Sequence, residues 1–130
     1  MIIETLGTGV KMMVGFICTA ITVLFGGMDA MLWSLIIFIT LDYATGILAA
    51  VATKSLSSEI SFKGLLKKVT ILIVIAVAHQ AGRAVGIQEI RSFVVGFYLA
   101  NEGISILENA AKVGVPMPEK LLEVLEQLKE

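Results

Sequence analysis

Cysteine and histidine each occur once in 130 residues, as Cys18 and His79, and charged residues make up only 16% of the chain. A lone cysteine allows no internal disulfide. It lies within an apolar run, where a buried, inert thiol is expected, and Ile17 before it is too large for a bacterial lipoprotein cleavage site. No Cys/His cluster can form, and neither a Walker-type GxxxxGK(S/T) nor an HExxH motif occurs. With no activated nucleophile to point to, the chain is not expected to be an enzyme, and no cofactor or metal is expected. Ten basic residues against eleven acidic ones leave a net charge of −1, which excludes a broad basic face for nucleic acid.

Hydrocarbon is what the chain has in excess. Hydrophobic residues are 57% of it, and the mean hydropathy is +0.92. A soluble domain of this size cannot hide so much apolar surface in one core, so the bilayer must be the solvent. The organising stretch is 30–52, AMLWSLIIFITLDYATGILAAVA, twenty-three residues with a single carboxylate, Asp42, near the midpoint. A helix of that length, at ~1.5 Å per residue, crosses a hydrocarbon core of ~30 Å with some tilt. A charge at its centre costs roughly 2.5–3.5 kcal/mol, so Asp42 needs a partner or water. Thr45, Gly46 and Ala49 follow at i+3, i+4 and i+7, giving one narrow face of small and polar groups suited to helix association.

Three further spans are expected around it, at 12–27, 69–85 and 92–111. In the first, Gly15, Thr19, Thr22 and Gly26 recur at i, i+4, i+7 and i+11, a stripe that Thr8 and Lys11 extend backward. Close packing of helices through these small residues is the expectation for the resting state. The run is too thin in basic residues and lacks the small-residue site of a signal peptide. Gly26, Gly27, Met28 and Asp29 read as a tight turn with Asp29 capping the central helix. After Ala52, the polar stretch carrying Lys54, Lys63, Lys67 and Lys68 reads as an interfacial ramp, with Ser57 or Ser58 capping a short helix and Glu59 in its first turn. The third span carries His79, Gln80 and Arg83 near its end. A short connection, 86–91, leads to the fourth, in which Asn101, Ser105, Glu108 and Lys112 line one face beside Glu102 and Asn109. Tyr43, Tyr98 and Trp33 are expected to pack rather than to anchor at the interface. Pro116 and Pro118 stop the last span. A final helix, 119–130, places Leu121, Val124, Leu125 and Leu128 on one side; its net charge of −2 argues against a lipid anchor and for self-association.

With four spans and the N-terminus inside, eight of the ten basic residues face the cytoplasm, as the positive-inside rule requires. A three-span arrangement with 12–27 outside the core is the alternative. The chain thus divides into an all-α multi-pass domain, 1–113, and a cytoplasmic C-terminal helix, 114–130. Asp42 and Glu102 are expected to share one layer with His79, Arg83 and Asn101 and to be held by them, within or between subunits. The alternative is that each acid is simply neutral, which makes burial cheap. If ionised, either acid would couple the resting state to the membrane potential, worth ~2.3 kcal/mol per charge per 100 mV.

Three segments, MDAMLWSLIIFITLDYATGILAA, SSEISFKGLLKKV and FYLANEGISILENAAKVGVPMPEKL, closely resemble the toxin-secretion/phage-lysis holin family of Gram-positive bacteria and their phages. The words LDYATG and NEGISILENA are the specific part, and the likeness runs from about Met28 to the C-terminus. The resemblance implies a homo-oligomer of the bacterial cytoplasmic membrane that opens lesions passing an endolysin to the cell wall, or releasing a toxin. It brings no catalytic residues and assigns no residue roles. The rival readings are a small proton-coupled four-helix transporter and an antiholin-like regulatory subunit.

Overall fold

The computed structural model describes residues 1–129 as five helices, α1 (Ile2–Phe25), α2 (Ala30–Ala52), α3 (Ser58–Val85), α4 (Glu89–Val113) and α5 (Glu119–Lys129), with no strand among the described residues. Glu130 lies outside the described residues, as do the side chains of Leu125 and Leu128, two of the four apolar positions expected to line α5.

The local signals explain most of the helix ends. Asp29 caps α2, its Oδ1 accepting from the Leu32 amide at 3.0 Å. Ser57 caps α3 in the same way, with its Oγ accepting from the Ile60 amide at 3.1 Å and Glu59 in the first turn. Gly26, Gly86 and Gly114 close α1, α3 and α4 in the left-handed conformation, with φ of 80°, 74° and 110°.

Three boundaries differ from the expectation. The first helix starts at Ile2, not near Met12, and is 24 residues long. Lys11 and Glu4 ride on its exposed surface without interrupting it. The ramp and the third span are one helix of 28 residues, since no proline or competing cap separates Lys68 from Val69. The last long helix begins at Glu89, which puts Arg91 in its first turn rather than in a connection.

Helix α4 is the hub, packing against α2, α3 and α5. It runs in the same direction as α2: Arg91 near its start meets Asp29 at the start of α2, and Asn109 near its end meets Asp42 and Thr45. Helix α3 runs back alongside that pair, packing mainly on α4. Leu32, Leu35, Ile75 and Val95 form the core where the three meet, with Phe25, Met28 and Tyr98 packed against it. Tyr98 also makes an edge contact with Phe97 at 5.2 Å between ring centroids, whereas Trp33 is 55% exposed.

Helix α1 stands apart. Apart from its last turn, where Phe25 meets the core and Arg91, it packs only along α3, and it buries none of its residues. Cys18 is accordingly exposed rather than buried within the chain. Its threonines are nonetheless satisfied, since Thr5, Thr8, Thr19 and Thr22 each donate to the carbonyl four residues earlier. A hydroxyl bonded inside its own helix can face hydrocarbon. By length and composition α1, α2 and α4 can each cross a bilayer.

Candidate functional site: a charged knot within the bundle

Asp42 and Glu102 are 5% and 2% exposed, and one cation serves both. Lys68 Nζ bonds Asp42 Oδ2 and donates to Glu102 Oε2 at 2.7 Å. Asn109 Nδ2 completes the shell, donating to Asp42 Oδ1 at 3.0 Å and to Thr45 Oγ1 at 3.2 Å. Gly46 lies beside that amide: a Cβ there would make an ordinary van der Waals contact, 3.6 Å from Asn109 Nδ2. Among the described residues no buried side-chain nitrogen or oxygen is left without a partner. A buried ion pair is costly to break because the survivor has neither water nor counter-charge.

The expected partners of the two acids are thus corrected within the chain. His79 and Arg83 do not reach Asp42 or Glu102. His79 sits beneath the α1 cap, where a Cβ on Gly26 would come 2.6 Å from its ring. Arg83 is exposed and lines a cleft with Asp29 and Arg91 at the turn end of the bundle. Asn101 borders the cleft beside Glu102 without a hydrogen bond of its own among the described residues. Lys68, read as part of the ramp, is the cation, and Asn109, read as a flanking residue, is the amide.

Two clefts reach this knot. One, of about 230 Å3, opens between α2 and α3 past Ser57 and Ser61 to Asp42 and Asn109. The other, of about 470 Å3, lies between α3 and α4 and is bordered by Lys67, Asn101, Ser105 and Glu108. Of the α1 stripe, Gly15 has no neighbour within 4 Å, Thr19 and Thr22 are exposed, and only Thr22 and Gly26 border the cleft at the turn end.

A second polar cluster lies at that turn end. Arg91, 8% exposed, donates through Nη1 to Asp29 Oδ2 at 2.8 Å and through Nη2 to Asp29 Oδ1 and the Gly27 carbonyl, both at 3.2 Å. Its Nε bonds the Phe25 carbonyl at the end of α1. One guanidinium therefore ties the α1–α2 turn to α4. Gln80 adds a bond to the Val23 carbonyl at 2.7 Å. The Arg91 bonds hold the Asp29 carboxyl below the usual carboxylate range, against the smaller opposing effect of burial.

Comparison with known proteins places this architecture. A profile of the bacteriophage holin family matches residues 19–130. The chain belongs to the bacteriophage holin family. This holin-family chain is 46% identical over 112 residues to an uncharacterized 14.9 kDa protein of Clostridium perfringens in the nagH 3′ region, covering 85% of each. It is 45% identical over 103 residues to the uncharacterized protein Lmo0128 of Listeria monocytogenes, covering 78% of this chain and 74% of that one. A probable holin of Bacillus phage phi105 is 34% identical over 86 residues, covering 65% of this chain and 64% of the phage protein. No solved structure matches. Family and three apolar helices together make this a protein of the cytoplasmic membrane.

Proposed function

We propose that this chain is a holin that accumulates in the bacterial cytoplasmic membrane as a homo-oligomer and opens lesions through which an endolysin, or a toxin, passes. The observation that carries the reading is the family match over residues 19–130. The physical picture agrees with it. Each copy encloses a charged knot at membrane depth and otherwise presents mostly apolar surface, with α1 packed only loosely and none of its residues buried. Polar groups at that depth are tolerated only inside protein or beside water, and a bundle that opens exchanges one for the other.

Helix α3 is the fourth span in this reading. Its support is the parallel run of α2 and α4: if both cross the membrane in one direction, the helix that joins them must cross back. Four spans then leave the N-terminus and the segment 114–130 on the cytoplasmic side, in keeping with the lysine distribution.

The test is inducible expression with and without a co-expressed endolysin, scored for lysis and dye entry. Abrupt lysis that requires both proteins supports the reading; intact cells that keep dye out at high expression overturn it. The cleft between α2 and α3 that reaches Asp42 favours the carrier as the second reading, because a carrier needs a cavity beside its acid. Proton-coupled export from cells that stay impermeable would support that alternative. Delayed lysis by a related holin would instead mark an antiholin-like role.

A further inference from the structure

Lys67 and Lys68 are neighbours with opposite fates. Successive helical residues point about 100° apart. Lys68 therefore turns into the bundle toward Asp42 and Glu102, while Lys67 is exposed on the rim of the α3/α4 cleft. Glu108 is exposed on the same cleft, and among the described residues neither Lys67 nor Glu108 makes an ion pair. The two stand at one height. At ~1.5 Å per residue Lys67 lies about 27 Å along α3 from Val85, and Glu108 about 28 Å along α4 from Glu89. Deeper in the cleft, Asn101 and Ser105 present polar groups near mid-membrane, where hydrocarbon cannot satisfy them.

We infer that this face docks a second copy of the chain about a two-fold axis along the membrane normal, Lys67 of each copy pairing with Glu108 of the other. The inference rests on the membrane-spanning, oligomeric reading above and names the contact within it. Charge complementarity selects the occupant. A two-fold contact brings residue i to j and j to i, so a face bearing one cation and one anion at equal depth complements itself. Copies inserted in the same orientation keep the two residues level, and docking covers Asn101 and Ser105 with protein instead of lipid.

The full-length protein in cell membranes provides the test. Lys112, exposed one turn beyond Glu108, becomes the reporter through Lys112→Cys in a Cys18→Ser background, read as dimer formed by a bis-maleimide. Lys67→Glu alone and Glu108→Lys alone each place like charges across the axis and are expected to lower crosslinked dimer at least tenfold. Co-expressed with different tags, the two variants are expected to restore a mixed dimer, since both contacts across its axis then join opposite charges. Pairing within one chain could not be rescued in trans. Single variants that crosslink like the parent, or rescue by the double variant in cis without rescue in trans, overturn the proposal. The readout is separate from lysis. Lesions without this crosslink sink the face alone, whereas a crosslinked dimer in membranes that stay tight upholds the face and sinks the lesion-forming role.

Discussion

A single side chain carries the interior of this bundle. Lys68 neutralises one of two buried carboxylates and hydrogen-bonds both. Removing one partner of a buried pair costs about 3–5 kcal/mol, whereas replacing all partners by apolar or neutral groups can be nearly neutral. Lys68→Met is therefore expected to lower the unfolding midpoint in detergent sharply. Adding Asp42→Asn and Glu102→Gln should recover much of the loss. Asp29 supplies a pH-dependent counterpart at the turn end. Its folded pKa is depressed by Arg91, so the pair's contribution is complete above the unfolded value of about 3.9 and is lost as pH falls through the folded one. The Asp29 side chain is 52% exposed, which limits that contribution to about 1 kcal/mol or less. Asp29→Asn keeps the cap and removes the charge. The stability gap between parent and Asp29→Asn should be constant from neutral to mildly acidic pH and narrow only as pH falls below the ordinary carboxylate range, followed by thermal unfolding in detergent.

Among the elements, the turns were the most legible. Asp29 and the polar stretch after Ala52 bracket α2, and its ends fall at Ala30 and Ala52 as the residues imply. Helix α1 extends N-terminal of the uncharged run that begins at Met12, because a helix ignores one outward lysine. The helix that carries the expected span 69–85 starts at Ser58, because the polar stretch before Val69 continues it without a break. Counting depth from Val69 alone brings His79 and Arg83 level with Asp42. In the full helix both lie near the turn end, and Lys68 is the residue within reach. Hydropathy assigns a boundary lysine to the headgroups; only the phase of α3 against α2 and α4 separates Lys68 from Lys67. Glycines discriminate the elements experimentally. Gly82→Ala would set a Cβ 2.6 Å from the Ile87 carbonyl oxygen, backbone that the α3–α4 turn cannot readily move, so a loss of roughly 1–3 kcal/mol is expected. Gly15→Ala meets nothing within 4 Å and should raise helix stability by up to about 1 kcal/mol. Chemical unfolding of the two variants in one detergent compares them directly.

At the scale of the whole molecule, direction is the informative quantity. Arg91 meets Asp29, start to start, and Asn109 meets Asp42 further along, so α2 and α4 are parallel neighbours. In a bilayer, parallel neighbours joined by one connection require that connection to traverse the same thickness, and α3 has the length to do so. Its inward half carries Lys63, Lys67 and Lys68, of which the first two are exposed and the third is neutralised inside. If α3 spans, its buried cation is already neutralised, and Lys63 and Lys67 lie toward its cytoplasmic end, where long side chains reach the interface. If α3 instead lay on the cytoplasmic surface, α4 would have to run outward, opposite to α2, and the Asp29–Arg91 tie would join opposite faces of the membrane. The consequence is measurable before any lesion forms. In a Cys18→Ser background, Gln88→Cys should react with an impermeant maleimide added outside intact cells, whereas Lys54→Cys and Lys120→Cys should react only after permeabilisation. The surface-lying alternative inverts two of those three results, protecting Gln88→Cys and exposing Lys120→Cys. Labelling of that kind would remove the parallel pair from the membrane, and with it the shared depth on which the charged knot and the Lys67–Glu108 face both depend.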